Sequence, residues 1–323
     1  MKLRRRQFLH LAAGAAALPA VCRTASAQTY PTRPMHLIVG FPAATATDIV
    51  ARLIAESLSE RLHQQVIVEN RTGAATNIAA EVVSKANPDG YMLLALTITN
   101  AVNTTLYSGL TFDIKRDLAP VVGTFRSALA MVVTPSVPAK TVPEFIAYAK
   151  ANPGKINYAS NGYGSAPNVN GELFKMIAGV DMVHIPYRGN TVPDLLAGQV
   201  QVMFGTLPSV ISYIKAGTLR ALAVTSAERS TALPDVPALA EFLPGFDTYL
   251  WHGIVAPRNT PKDIIDTLNK ETNAVLAEPK MRTRFDELGG SAIGGTPDDF
   301  GKLIAGEIEK WGKVVRAANI KPE

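Results

Sequence analysis

The sequence predicts an α/β fold in two lobes, each a mostly parallel sheet flanked by helices. Three observations carry this. Apolar runs of strand length alternate with stretches of helical periodicity along most of the chain. The alternation falls into two sets, the second starting at residue 128. Beyond the first 27 residues nothing reaches 18 consecutive apolar residues, so the runs read as core strands of a soluble protein.

Residues 1–27 stand apart. Lys2 to Arg6 is cationic, Phe8 to Val21 is apolar but too short to span a bilayer, and Ala25-Ser26-Ala27 is a small-x-small cleavage site. This is an export signal cleaved after Ala27. Arg5-Arg6-Gln7-Phe8-Leu9 leaves both the Sec and the twin-arginine routes open. The leader also holds Lys2, Arg4, Arg5, Arg6 and Arg23 with no acid, which accounts for the whole formal charge of +5. From Gln28 onward the remaining bases balance the 27 acids, so no nucleic-acid partner is expected. The one cysteine, Cys22, lies in the leader too. The mature chain therefore excludes disulfides, cysteine–metal sites and thiol catalysis.

The first set of elements runs from strand 35–41 (MHLIVGF) through helix 48–62, strand 65–69 and helix 77–86 to strand 91–97. Ile49, Leu53, Leu58 and Leu62 supply the helical spacing in the first helix. The second set is strand 128–134, helix 142–151, strand 156–160, helix 168–178, strand 182–187, helix 192–197, strand 200–204, helix 208–216 and strand 219–225. The tail 261–318 reads as mostly helical, with Pro261 and Pro297 at helix starts. Strands separated by helices pair in parallel, and ligands of such sheets sit outside the carboxyl ends of the strands.

Familiar catalytic motifs fail on inspection. Gly162-Tyr163-Gly164-Ser165-Ala166-Pro167 opens like a dinucleotide fingerprint but ends in proline. Gly295 to Lys302 is one residue too long for a phosphate loop and continues into Leu303 where Ser or Thr is required. There is no G-x-S-x-G elbow. No two histidines are spaced i, i+4, and His36 and His184, in apolar strands, read as packing residues. No catalytic residue, metal ligand set or cofactor is expected.

The loops after the strands are more informative. Pro42-Ala43-Ala44-Thr45-Ala46-Thr47-Asp48 joins a strand to a helix N-terminus, where free backbone N–H groups and the helix dipole favour an anion. Thr45-x-x-Asp48 also fits a capping box, which serves the same loop. Similar loops follow at 70–77, at Thr97-Ile98-Thr99-Asn100, at 160–165 and at Pro186-Tyr187-Arg188-Gly189-Asn190. Turn chemistry explains any one of them; their recurrence in both sets points to a polar cleft between lobes. Arg188 either pairs with a ligand carboxylate or is a solvated loop residue.

At these loops the sequence resembles the periplasmic solute-binding receptors of tripartite tricarboxylate transporters, the Bordetella-uptake-gene type. The resemblance spans nearly all of residues 30–320. It is carried by Tyr30-Pro31 with Arg33-Pro34, the loop at 41–48, Val68-Glu69-Asn70-Arg71 with Gly73, Pro88-Asp89-Gly90-Tyr91, and Asn152-Pro153-Gly154-Lys155. Tyr158-Ala159-Ser160, His184-Ile185-Pro186-Tyr187-Arg188-Gly189, the run 217–225 and Leu233-Pro234-Asp235-Val236-Pro237 complete it. The resemblance implies a two-lobed periplasmic binding protein, a Venus flytrap that closes on its ligand. Lobe 1 would be discontinuous, 28–126 plus 252–323, and lobe 2 would be 127–251, with hinges near 123–128 and 248–253. The implied protein is a periplasmic monomer and not an enzyme. It would bind a small organic carboxylate (di-, tri- or aromatic) and deliver it to membrane permease subunits. Presentation of the ligand to a membrane kinase, or an α/β enzyme acting on a carboxylate, are the alternatives.

The departures from the family pattern cluster in the ligand loops. The family's F-P-P-G-G-x-x-D is here Phe41 to Asp48 with both glycines replaced, by Ala44 and Thr45. A Gly-Thr…His pattern becomes Gly164-Ser165 and Asn168, and the strand-end aspartate becomes Gly205. Losing that acid suggests more room and a non-amino carboxylate, bulkier or aromatic. The expected ligand-binding residues are therefore Pro42, Ala43, Ala44, Thr45, Thr47, Asp48, Thr97, Thr99, Asn100, Ser160, Tyr163, Gly164, Ser165, Asn168, Tyr187, Arg188, Gly189 and Gly205.

Overall fold

The computed structural model describes residues 30–187 and 189–322, so the expected export leader and Arg188 lie outside the described residues. The chain runs β1 (Met35–Val39), α1 (Ala46–Leu62), β2 (Val66–Asn70), α2 (Asn77–Ser84), β3 (Met92–Thr97), α3 (Ile98–Leu106), α4 (Ile114–Asp117) and β4 (Leu118–Ser127). It continues with β5 (Leu129–Val133), α5 (Val142–Ala151), β6 (Asn157–Ser160), α6 (Ala166–Ala178), β7 (Val183–Pro186), α7 (Val192–Leu196), β8 (Val202–Thr206), α8 (Leu207–Lys215) and β9 (Arg220–Val224). The return segment is β10 (Leu250–Pro257), α9 (Lys262–Ala277), α10 (Pro279–Glu287), β11 (Gly290–Gly294) and α11 (Pro297–Ala317).

Two mixed sheets result, in the orders β11-β4-β10-β3-β1-β2 and β7-β6-β8-β5-β9. Each strand expected from the sequence is present within two residues. β4, β10 and β11 come in addition, and the first sheet is centred on β4, β10 and β3. β10 pairs antiparallel with both β3 and β4, and β5 pairs antiparallel with β8 and β9. β11 pairs antiparallel with β4, and the remaining neighbours, β2-β1-β3 and β7-β6-β8, are parallel.

The antiparallel strands have a topological cause. β4 ends at Ser127 and β5 starts at Leu129, so the chain leaves one sheet and enters the other almost without turning. It thus enters the second sheet from the end at which that sheet's parallel strands finish. β10, returning after β9, enters the first sheet in the same sense. Both crossing strands run against their neighbours because both are threaded through the junction between the lobes.

β10 is buried at every position, as a central strand must be. β4 tolerates Pro120 because its register against β10 shifts between Ile254 and Val255, and Pro120 lies opposite Val255 at that irregularity. The tail helix α11 starts at Pro297 behind a capping box: Asp299 N–H donates to Thr296 Oγ1 at 3.1 Å, and Thr296 N–H donates to Asp299 Oδ2 at 3.0 Å. Its apolar stripe, Phe300, Ile304, Trp311, Val314 and Val315, is buried in the core cluster that also holds Phe145, Phe174 and Phe204 of the second lobe. A second cluster, with Val132, Leu195, Val210 and Val224, fills the other face of the second sheet. These two cores fix the carboxyl ends of β1, β3, β6, β7 and β8 around one space.

Candidate functional site

That space is a cavity of about 430 Å³, within the size range of small-molecule sites. Its walls come from the loops after β1, β3, β6, β7 and β8, that is, from both lobes. Four helices of at least eight residues, α1, α3, α6 and α8, begin at it. Each brings unsatisfied N–H groups and the positive end of its dipole. No lining residue among those described carries a formal charge. An anion here is met by backbone dipoles and hydroxyls, in the manner of helix N-terminal anion sites.

The first loop is held by Asp48. This carboxylate is buried and accepts from Ala44 N–H at 2.9 Å, from Asn70 Nδ2 at 2.8 Å, and from Arg52 Nε at 3.0 Å on Oδ2. Burial pushes its pKa up, but the hydrogen bonds from Arg52, Asn70 and Ala44 and the Arg52 charge outweigh that and hold it below the usual carboxylate range. Thr45 is the N-cap residue of α1 but its side chain does not cap; its hydroxyl donates back to Pro42 O at 2.8 Å. The capping-box reading of Thr45 and Asp48 is thus replaced by an Asp48–Ala44 brace. Ala44 has φ +63°, the left-handed conformation that the family's glycine would adopt freely. Ala74, Ala75 and Thr76, in the neighbouring loop, have φ of 44°, 49° and 76°. Position 44 thus keeps a glycine-type backbone without glycine, while Thr45, at the family's second glycine, is extended with φ −78°.

At the end of β3, Thr97 and Asn100 form a capping box. Asn100 Oδ1 accepts from Thr97 N–H at 3.0 Å, and its Nδ2 donates to Thr76 Oγ1 at 3.0 Å. Thr99 lines the cavity from the first turn of α3. In the second lobe, Ser165 donates to Gly162 O at 2.6 Å and Tyr187 OH donates to Asp194 Oδ2 at 2.8 Å.

Of the expected residues, Pro42, Ala43, Ala44, Thr45, Thr47, Thr97, Thr99, Ser165, Tyr187 and Gly189 line the cavity. Asp48, Asn100, Ser160, Tyr163, Gly164, Asn168 and Gly205 are not in the lining. Most of them brace it. Gly164 N–H donates to Asn168 Oδ1 at 3.0 Å, and Asn168 Nδ2 donates to Tyr158 OH at 3.0 Å. Ser160 Oγ lies 2.6 Å from His184 Nε2. The His184 ring stacks on Tyr158 and meets Tyr163 edge-on. Tyr158 OH donates in turn to Glu172 at 2.5 Å, and Glu172 pairs with Lys175 at 3.1 Å. Burial, with the Lys175 charge, brings His184 down to about 4, so it is a neutral member of this network. Burial and then the Glu172 charge push the Tyr158 hydroxyl pKa up.

Gly205 corrects the reading made of it. A Cβ there would meet Val210 Cγ1 at 2.5 Å, so position 205 faces α8 and the absence of a side chain opens no room in the cavity. Its neighbour Thr206 is the lining residue. The sequence reading missed Thr206, Ser209, Ser212 and Tyr213. The last three sit at i, i+3 and i+4 on one face of α8. The rule that ligands sit past strand ends, applied to the strand at 200–204 as it was to the others, would have found them.

A cleft between two α/β lobes, at the carboxyl ends of both sheets and lined from both, defines a two-lobed solute-binding receptor. The chain belongs to the tripartite tricarboxylate transporter receptor family, whose family model, described as "Tripartite tricarboxylate transporter family receptor", matches residues 50–320. Protein BugT of Bordetella pertussis is 36% identical over 301 residues, covering 92% of each chain. An R. palustris protein solved with adipate is 36% identical, covers 91% of this chain and 100% of its own, and superposes with a TM-score of 0.87. MatC from Rhodopseudomonas palustris, solved with bound malate, is 29% identical with a TM-score of 0.83, covering 88% of this chain and 100% of its own.

Proposed function

We propose that this chain is a periplasmic receptor that captures a small organic carboxylate between its lobes and hands it to an ion-gradient-driven membrane permease. One observation carries the reading: a cavity of about 430 Å³ where four helix N-termini meet and no ionised side chain is described. Micromolar affinity requires about 8 kcal/mol. Hydrogen bonds to a charged group contribute roughly 1.5–3 kcal/mol each, so several donors shared by two lobes suffice after the costs of association. A ligand that touches both lobes stabilises the closed form, because only there does it make both sets of contacts. The adipate and malate bound by two similar receptors support the carboxylate class.

The lobes we assign are residues 28–126 with 252–323, and 127–251, and the export leader places the mature chain in the periplasm. Ligand contacts are assigned to the loop Pro42–Thr47, to Thr97, Thr99, Ser165, Tyr187 and Gly189, and to the α8 face of Ser209, Ser212 and Tyr213.

Thermal-shift titration against adipate, malate, citrate, benzoate and glutamate tests the reading. At least one carboxylate raises the melting temperature with a saturable dependence, while sugars and polyamines do not. A panel in which no acid stabilises the protein sinks it, and a response restricted to glutamate overturns the non-amino preference.

A further inference from the structure

Four threonines of the first lobe line the cavity: Thr45, Thr47, Thr97 and Thr99. Two have committed their hydroxyl protons. Thr45 donates to Pro42 O at 2.8 Å, and Thr97 donates to Asn100 Oδ1 at 3.2 Å. Thr47 is the one whose role depends on a partner behind the wall. Its Oγ1 lies 3.1 Å from Nε2 of His252. Which of the two groups donates decides what Thr47 offers a ligand.

His252 sits in the central strand β10, opposite Thr97 of β3 and Phe125 of β4. It is 2% exposed and stacks on the Phe125 ring at 5.8 Å. Its Nδ1 has no hydrogen-bond partner among the described residues. Burial holds the imidazole neutral, its pKa brought down to about 3. A neutral imidazole has one N–H, and the hydrogen bond made by one nitrogen fixes where it goes. On Nδ1 the N–H would be a buried donor with nothing to receive it. Orphaned buried N–H groups are rarer in proteins than orphaned acceptors. On Nε2 the proton points at Thr47 Oγ1, and Nδ1 is left as a bare lone pair.

We infer that His252 is a positioning residue: it donates from Nε2 to Thr47 Oγ1 and so turns the Thr47 hydroxyl proton into the cavity. Thr47 then has its proton free for the ligand, while one of its two lone pairs is already used. Such a group donates to a carboxylate oxygen and favours it over an ammonium, because its proton is turned toward the ligand and its acceptor capacity is halved. The bias toward a carboxylate over an amine at this point of the wall thus comes from a side chain behind the wall, outside the cavity lining. The tautomer follows from the geometry alone; the ligand it selects rests on the carboxylate-capture reading above.

The experiment has two arms. In the first, the protein is labelled with 15N-histidine and the imidazole nitrogens are assigned by loss of one set in His252→Phe, which keeps the stack on Phe125. The expected result in the ligand-free protein at neutral pH is a His252 ring protonated on Nε2. Its signals shift in Thr47→Val, where the acceptor is gone. A ring protonated on Nδ1, or one indifferent to Thr47→Val, overturns the inference. In the second arm the acid that most stabilises the wild type in the carboxylate panel is titrated into Thr47→Val and Thr47→Ser. Thr47→Val binds roughly 10- to 100-fold more weakly, the range expected for one hydrogen bond to a charged group. Thr47→Ser, which keeps the hydroxyl, stays within a few-fold. Equal affinity in Thr47→Val overturns the donor role even where the tautomer is as inferred. A panel in which no acid binds the wild type sinks the proposed function and the anion-directed role of Thr47 with it, while the tautomer is decided separately by the first arm.

Discussion

Replacing Gly205 with alanine tests the packing that sets the second wall of the cavity. The added Cβ would stand 2.5 Å from Val210 Cγ1, 3.2 Å from its Cγ2 and 3.5 Å from its Cβ. Carbon atoms in contact prefer about 3.5–4.0 Å, so α8 must move away from β8 by roughly 1 Å. Val210 is fully buried and β-branched, so it cannot swing aside. Overpacking of this kind costs about 1–3 kcal/mol, which for a domain of this size is a fall in Tm of about 2–10 °C. The assay is thermal unfolding of the mature chain, with Val210→Ala and the double variant completing the cycle. Removing the two methyl groups that the new Cβ meets makes the pair of changes less damaging than their sum, by about 0.5 kcal/mol or more. An unchanged Tm in Gly205→Ala, together with altered ligand affinity, would show that position 205 opens on the cavity and would refute the reasoning.

Three further outcomes are expected. Ala44→Gly costs little or stabilises by up to about 1 kcal/mol, because φ is +63° at Ala44; the same change in an ordinary loop or helix destabilises, and a loss of about 1 kcal/mol in denaturant melts would contradict the strained loop. Gly164→Ala weakens ligand binding several-fold in calorimetric titration. Gly164 has φ +74°, and a methyl there lies 2.9 Å from Leu106 Cδ2 and 3.1 Å from Asn103 Oδ1, where the second-lobe loop seats on α3; unchanged affinity would count against that contact in the closed form. Stability falls as pH drops from about 6.5, the ordinary histidine value. His184 and His252 are held neutral down to about 4 and about 3, so the unfolded chain binds the protons first and the loss continues toward those values. The total is on the order of a few kcal/mol, read as the slope of unfolding free energy against pH, and His252→Phe should flatten it.

The sequence already contained the two-lobed α/β architecture, because strand and helix periodicities are local properties of the chain. Loops such as 41–48 and 186–190 were legible for the same reason: polar residues that follow an apolar strand and precede a helix mark a ligand edge in this class of fold. β10 was not legible as the partner of β3 and β4. It is buried on both faces, shows no alternation, and gains its neighbours from residues more than 120 positions earlier in the chain. The α8 face was also hidden, since Ser209, Ser212 and Tyr213 read as ordinary helix residues until β8 fixes which side of the helix meets the cavity.

Side-chain roles inside the site needed the tertiary structure most. Sequence spacing pairs Thr45 with Asp48, yet the folded loop joins Asp48 to Ala44, Arg52 and Asn70 instead. Sequence comparison turns Gly205 into a lost ligand anchor, yet the pleat of β8 sends that position toward Val210 and presents Thr206. His252 and Thr47 are 205 residues apart, and only the insertion of β10 beside β3 puts Nε2 within reach of Oγ1. The sequence by itself determined the class of fold and the edge on which the cavity opens, since both follow from local patterning. Which atoms face the cavity was decided by the tertiary structure, because strand register and burial set the direction of each lining group.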